Sequence, residues 1–188
     1  MPLRPIAITG KLRSGKDSAA AYLVDRYGYT RFAFGDELKR LAHEIFDVPM
    51  EPKPRDLYQW FGQTMRQRDP DVWVRKCFER ISYMYRVAER NNGTLAKSLP
   101  VLSDVRQPNE FTRCRSEGYV IIRIVRPEFD RLAAATATDT FSPDDLRHDT
   151  ESHVDGFSVD YEIVNDGTLD ELYRKIDFVM TKINGGVQ

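Results

Sequence analysis

Cysteine, histidine, long apolar runs and net charge are all scarce in this chain of 188 residues. The two cysteines, Cys77 and Cys114, show no C-x-x-C spacing. That argues against a disulfide scaffold or a cysteine-rich zinc module and points to reduced core thiols of a cytoplasmic protein. No apolar stretch approaches the roughly 18 residues that span a bilayer, so no membrane segment is expected. The opening Met1-Pro-Leu-Arg-Pro-Ile-Ala-Ile runs straight into a strand-like segment without the apolar core of a secretion signal. A formal net charge of −1 supplies no global field to attract nucleic acid. Of the three histidines, His148 and His153 stand near Asp149, Glu151 and Asp155. Their five-residue spacing does not stack them on one helical face, and no cysteine is near, so a zinc site is not expected. His43 reads as the solvated edge of a helix.

What is present is an ordinary globular composition, 41% hydrophobic and 30% charged, which argues against disorder. At roughly 150 residues per domain the length suits one compact domain, 1–188, with small insertions. The 28 basic residues divide into 20 Arg and 8 Lys. Arginine is favoured where planar, bidentate recognition of phosphate or carboxylate matters, so anionic small ligands are indicated.

Strand and helix patterns alternate along most of the chain. Strands are expected over Pro5–Thr9, Thr30–Phe34, Leu99–Val105, Tyr119–Val125 and Tyr161–Val164. Helices are expected over Ser14–Tyr27, from Gly35-Asp36 onward, and over Arg55–Arg68, Asp71–Asn91, Pro108–Glu117 and Thr168–Ile183. In the helix from Asp71, a stripe of Val72, Arg75, Cys77, Phe78, Ile81 and Tyr85 implies burial with an inward-facing cation. Val48–Pro54 carries three prolines and is a loop. Between the last two strands, a small, polar stretch around Ala133–Asp145 has little to bury and reads as a mobile flap. The alternation predicts an α/β domain with a mostly parallel sheet.

One motif carries the chemistry. Gly10-Lys11-Leu12-Arg13-Ser14-Gly15-Lys16 fits G-x-x-x-x-G-K, with a strand before it and a helix after it, the context that identifies a P-loop. The glycines let the backbone wrap a phosphate, the inward N–H groups and the helix N-terminus attract it, and Lys16 reaches it as a point charge. Asp17 stands where Ser or Thr usually supplies a hydroxyl to magnesium. Ser18 follows, but a helical step of about 100° turns its hydroxyl off that direction. Asp17 either ligates the metal, directly or through water, or only caps the helix.

The run GKLRSGKDS resembles the P-loop of the deoxynucleoside monophosphate kinases of tailed phages, and is similar to that of animal-type phosphomevalonate kinase. Further segments agree in order: Phe34-Gly-Asp-Glu-Leu-Lys39, Trp60-Phe-Gly-Gln-Thr-Met-Arg66, Asp69-Pro-Asp-Val-Trp73 with Arg75-Lys76, and Val101-Leu-Ser-Asp104-Val-Arg106-Gln-Pro-Asn109-Glu110. Val125-Arg126-Pro127, His148-Asp-Thr-Glu151 and Ile163-Val-Asn165-Asp166-Gly167 complete the series. Asn109-Glu110 leans toward the phage nucleotide enzymes.

The resemblance implies a P-loop NTPase fold of nucleoside-monophosphate-kinase type. It is a three-layer α/β/α arrangement on a five-stranded parallel sheet, with an acceptor-binding insertion at about 36–92 and a lid at about 127–150. It implies ATP and magnesium, with Gly10 through Ser18 at the ATP phosphates and Asn165 to Gly167 beside the adenine through backbone groups, which leaves those side chains little to do. Lys39, Arg66, Arg75 and Arg106 are implied at the acceptor phosphate, and Arg126 and Arg131 over the transferred group. Asp36 is most simply an N-cap, with a substrate role as the alternative. Trp60, Phe61 and Trp73 read first as core residues, with stacking of one of them, Trp60, on the acceptor base as the alternative. Asp104, ending an apolar strand, would orient magnesium through water or hold an acceptor hydroxyl. Glu151 would orient a lid arginine.

The activity so implied is ATP-dependent phosphorylation of deoxynucleoside monophosphates, without nucleic acid or membrane as partner. Whether the chain forms a homodimer is not fixed by its sequence. Kinases of another small phosphorylated metabolite, phosphomevalonate or dephospho-coenzyme A, are the runner-up. A P-loop regulatory module without an acceptor is a third reading, and the cation-rich segments from Lys39 to Arg106 argue against it.

Overall fold

The structure is a computed structural model and describes residues 4–91, 93, 97–128 and 153–185. The chain divides into two compact units, Met1–Arg31 with Ser98–Gln188, and Phe32–Lys97. The expected flap from residue 129 onward, and with it Arg131, His148 and Glu151, lies outside the described residues.

The first unit is built on strands β1 (Ile6–Thr9), β2 (Thr30–Phe32), β3 (Pro100–Val105), β4 (Val120–Val125) and β5 (Tyr161–Val164). They form one sheet in the order β2-β3-β1-β4-β5. β1 pairs in parallel with both β3 and β4, and β4 in parallel with β5. Neighbouring side chains on a strand face opposite ways. Ile6, Ile8, Val101, Ile122 and Ile124 join one core cluster, which they share with Ala19, Ala20 and Leu23 of helix α1 (Lys16–Tyr27). Leu172, Ile176, Val179 and Met180 of the last helix, α6 (Leu169–Gly185), pack into the same cluster. Ala7, Leu102 and Ile121, on the opposite face, are equally shielded from solvent. Burial on both faces is why these strands read as continuous apolar runs and not as alternating ones. Tyr22 and Tyr27 both donate to the Asp177 carboxylate, at 2.9 and 2.7 Å, and join α1 to α6.

The second unit contains α2 (Phe34–Phe46), α3 (Arg55–Arg68) and α4 (Val72–Arg90). Leu38, Ala42, Phe61, Val72 and Trp73 form its core. The Trp73 indole N–H donates to the Gly62 carbonyl at 3.1 Å, which satisfies the one polar atom of a fully buried ring. Glu37 is buried and pairs with Arg40 at 3.0 Å and Arg80 at 3.7 Å. Helix α5 (Pro108–Ser116) returns to the first unit and packs on β4.

Two element boundaries differ from expectation for identifiable reasons. α1 begins at Lys16 and not at Ser14, because Gly15 at φ +103° is left-handed and cannot continue a helix. β2 stops at Phe32, because Ala33 is the extended residue that caps α2, which opens at Phe34. Asp36 is therefore in the first turn of α2 and is not its N-cap. Cys77 and Cys114 are buried, as expected of core thiols. Among the described residues no helix is long and apolar enough to cross a membrane.

Tyr29 is buried and donates to the Arg4 carbonyl at 2.8 Å. Burial pushes its phenol up from the ordinary 10.0 to about 12. The folded chain then keeps a proton that the unfolded chain releases first. Tyr29's contribution to stability is complete below pH 10 and is lost as the pH rises toward 12. Denaturant midpoints measured across that window should fall less steeply for Tyr29→Phe than for the wild type.

Candidate functional site

In a parallel sheet every strand ends at the same edge. The residues that follow β1, β3, β4 and β5, namely Gly10, Arg106, Arg126 and Asn165, are thereby gathered on one border of the first unit. Ligands of open α/β sheets bind on this border. Between β1 and α1 the chain makes a loop through left-handed backbone at Arg13 (φ 62°) and Gly15 (φ 103°). Arg13 is not a glycine, so the surrounding loop holds it in a conformation that costs free energy. Gly10 (φ 147°) lies against β4, where a Cβ would stand 2.3 Å from the Ile124 carbonyl oxygen.

Lys16, the first residue of α1, is only 6% exposed, and its ammonium donates to the Lys11 carbonyl at 2.6 Å. Ser14 is buried, and its hydroxyl has no hydrogen-bond partner among the described residues. Leaving such a group unsatisfied costs about 1–3 kcal/mol, so an anionic oxygen accepting from it would recover that cost. The buried lysine, the orphaned hydroxyl and the start of a 12-residue helix together fit a bound phosphate chain. Leu12, Arg13 and Ser18 are half-buried around them. A cavity of about 260 Å³ opens beside the loop, lined by Gly10, Lys11, Ser14, Arg123, Arg126 and Asp155 among others.

Several contacts here are not legible in the sequence. Lys11 pairs with Asp155 at 2.6 Å. Asp155 lies in a 3-10 turn (Val154–Gly156), so this acid, from a His and acid cluster where no zinc site is expected, faces a P-loop cation. Arg123 on β4 donates to Glu162, its cross-strand partner on β5, at 3.1 Å and also to the Phe157 carbonyl. Arg115 donates to Asp160 at 2.6 Å and to the Ser158 carbonyl, and Phe111 stacks on Phe157 with ring centroids 4.6 Å apart. These contacts anchor the segment leading into β5.

The Asn165 backbone N–H donates to Val125 at 2.6 Å, and its side-chain amide donates to the Ser14 carbonyl at 2.9 Å. The expectation that this side chain has little to do is therefore wrong, because the P-loop folds back against it. Gly167 leaves room for the Glu171 carboxylate, which accepts from the Thr168 N–H at 2.7 Å and caps α6. The backbone at Arg106 is fixed in a similar way: buried Glu110 accepts from the N–H groups of Arg106 at 2.8 Å and Gln107 at 3.0 Å, in a capping box at the start of α5.

Asp17 is exposed in the first turn of α1, and Asp104 is half-buried near the end of β3. Burial, followed by the charges of Glu110 and Asp104, pushes the Cys114 thiol far above its ordinary range and leaves it inert. No group of three or more His, Cys, Asp or Glu that could hold a metal occurs among the described residues. Carboxylates such as those of Asp17 and Asp104 are the ligand type that magnesium takes when phosphate oxygens and water complete its shell.

In the second unit, Lys39 is exposed on α2, and Arg66 on α3 is half-buried. The Arg66 guanidinium lies 3.5 Å from where a Cβ on Gly62 would stand. Arg75 departs from the buried stripe: its side chain is 51% exposed and pairs with Asp69 at 2.5 Å, while Trp73 and Val74 take the inward positions. Arg75 in turn holds the Asp69 carboxyl below its usual range. Trp60 is not core. It is 56% exposed, meets Phe46 edge-on and lies tilted against Phe61 with ring centroids 6.5 Å apart. His43 is half-buried, with its ring nitrogens bridging the Val48 carbonyl at 2.8 Å and the Tyr58 hydroxyl at 2.5 Å.

No family model matches the chain. A protein of Acanthamoeba polyphaga mimivirus, provisionally named a deoxynucleotide monophosphate kinase, is 28% identical over 91% of this chain and 93% of its own. A sugar kinase of Janibacter superposes with a TM-score of 0.58 over 97% of this chain and 96% of that one, at 14% identity. Shikimate kinase of Aquifex aeolicus does so with a TM-score of 0.54 over 97% and 99%, at 12% identity. The fold is the α/β P-loop fold of these small kinases, as the alternating pattern and G-x-x-x-x-G-K predict.

Gly10→Ala should be strongly destabilising, because the new methyl would meet the fixed backbone of β4 and the glycine φ is unfavourable for alanine. A melting temperature within error of the wild type would contradict the packing described for this loop.

Proposed function

We propose that the protein is an ATP-dependent phosphotransferase whose acceptor is a deoxynucleoside monophosphate. The observation that carries the reading is the P-loop itself. Buried Lys16 and the orphaned Ser14 hydroxyl sit in a glycine-bounded loop at the strand-end border of a parallel sheet. The P-loop kinase fold supports a kinase in general. The mimivirus relative's name and the segments from Phe34 to Glu110 support the nucleotide acceptor in particular.

In this reading Gly10 through Ser18 hold the ATP phosphates, with Lys11, Arg13 and Lys16 opposing their charge. Magnesium, carried with those phosphates, neutralises charge on the transferred group, and Asp17 and Asp104 are the carboxylates assigned to it. Lys39, Arg66, Arg75 and Arg106 hold the acceptor phosphate, and Arg75 exchanges its ion pair with Asp69 for that contact. Such an exchange loses little, since solvent screens an exposed ion pair. Trp60 offers an exposed ring to the acceptor base, and Asp36 a carboxylate to the acceptor. Arg126 and Arg131 cover the transferred group, with Glu151 orienting an arginine beside it.

A monophosphate acceptor is already anionic near neutrality, its second pKa being about 6, so transfer needs alignment and charge neutralisation and no general base. The absence of a histidine from the proposed roles follows from that chemistry.

The sugar and shikimate kinases show that this fold serves chemically different acceptors, so the acceptor is the quantity to measure. A panel of deoxynucleoside monophosphates, phosphomevalonate and dephospho-coenzyme A should give ADP release above the hydrolysis background with the nucleotides. Turnover of phosphomevalonate or dephospho-coenzyme A alone would move the assignment to a metabolite kinase. Slow hydrolysis indifferent to every acceptor would make the chain a nucleotide-dependent regulator. Lys16→Ala should reduce turnover by about 10²–10³-fold, the usual cost of removing one preorganised donor from a developing charge. Wild-type turnover in that variant would remove the P-loop from the reaction.

A further inference from the structure

We infer that Asn165 is a positioning residue for the P-loop: its side-chain amide sets the direction of the Ser14–Gly15 peptide and thereby aims a backbone N–H at the donor phosphates. The inference rests on the phosphotransferase reading and gives a role to a side chain that the sequence leaves with little to do.

The Asn165 Nδ2 group donates to the Ser14 carbonyl at 2.9 Å. A trans peptide is planar, with its C=O and N–H pointing in opposite directions. Drawing the Ser14 oxygen toward Asn165 therefore turns the Gly15 N–H the other way. The same rotation removes a carbonyl dipole from a site that must accept anions. The peptide in question is a pivot of the loop, because Gly15 is left-handed at φ 103° and is also the N-cap of α1. With no Cβ at Gly15, that peptide has few steric restraints of its own. Nor does a side-chain cap hold this end of α1.

The space that a Cβ would need at Gly15 is already filled. An added methyl would stand 2.5 Å from Asn165 Nδ2 and 3.6 Å from Leu172 Cδ2. Glycine at 15 and asparagine at 165 are thus a matched pair: the missing side chain of one makes room for the amide of the other. Asn165 is itself tied to the sheet, its backbone N–H donating to the Val125 carbonyl at 2.6 Å. The order of support runs from β4, through Asn165 at the end of β5, to the Ser14 carbonyl and the Gly15 N–H. A residue 151 positions away in sequence orients the loop.

Inorganic tripolyphosphate separates this role from a contact with the adenine, since it fills the phosphate site and carries no base. Calorimetric titration of wild type, Asn165→Ala and Asn165→Asp with tripolyphosphate and with ATP gives the test. Asn165→Ala should weaken both ligands by the same factor, about 5–10-fold for one neutral hydrogen bond. Asn165→Asp should weaken both further, because its carboxylate repels the Ser14 carbonyl and would let the peptide turn. The KM for ATP should rise by a similar factor while the KM for the acceptor stays constant. The melting temperature without ligand should change little, and either variant that folds supplies the comparison.

Unchanged tripolyphosphate binding in both variants would overturn the inference. So would a loss confined to ATP, which would place Asn165 at the base. Failure of the wild type to bind either ligand would instead remove the phosphotransferase reading, and this inference with it.

Discussion

The structure depends on a constraint of direction. β1, β3, β4 and β5 are held side by side with all their carboxyl ends on one border, because each pair is joined in parallel register. A parallel pair cannot be closed by a tight turn, so every return crosses the sheet through a helix or a long segment. The polar residues just past each strand are left together with nothing to separate them. Gly10, Arg106, Arg126 and Asn165 are far apart in sequence, and the sheet makes them neighbours of one loop.

That loop concentrates unfavourable terms. It holds the non-glycine Arg13 in left-handed backbone, buries an ammonium and leaves the Ser14 hydroxyl without a partner among the described residues. Such costs persist only where the surroundings over-determine the geometry. Here the surroundings are identifiable: the Ile124 carbonyl against Gly10, the Asn165 amide on Ser14, and the Lys16 ammonium bonded back to Lys11. Glu110 has a comparable role beyond the end of β3, where its buried carboxylate collects the N–H groups at the start of α5 and fixes the backbone that carries Arg106.

The existence and type of each element, and the P-loop itself, are legible in the sequence because they follow from local rules. A glycine-bounded turn between an apolar run and a helical stripe has one reading, and strands buried on both faces declare themselves by unbroken runs of Val and Ile. Side-chain direction on α4 is less legible. Trp73 and Val74 outcompete Arg75 for the inward positions because their buried area outweighs the cation's place in the helical period, and Asp69 stands ready to hold the arginine outside. His43 and Trp60 err in opposite directions. The histidine finds a carbonyl and a hydroxyl that let it sink into the second unit, while the indole remains largely in solvent.

By itself, then, the amino-acid order determines which segments are helix or strand and that a phosphate-binding loop follows the first strand, since each is a pattern within a few consecutive residues, and that the sheet is mostly parallel, since strands and helices alternate along the chain. Only the tertiary structure decides that Asp155 meets Lys11, that Arg123 reaches both Glu162 and the Phe157 carbonyl, and that Asn165 holds the peptide before Gly15. These partners are separated by tens to more than a hundred residues, and hydrogen bonds and ion pairs act over a few ångströms. Nothing in the linear order brings such groups within range until the sheet has set its strands in place.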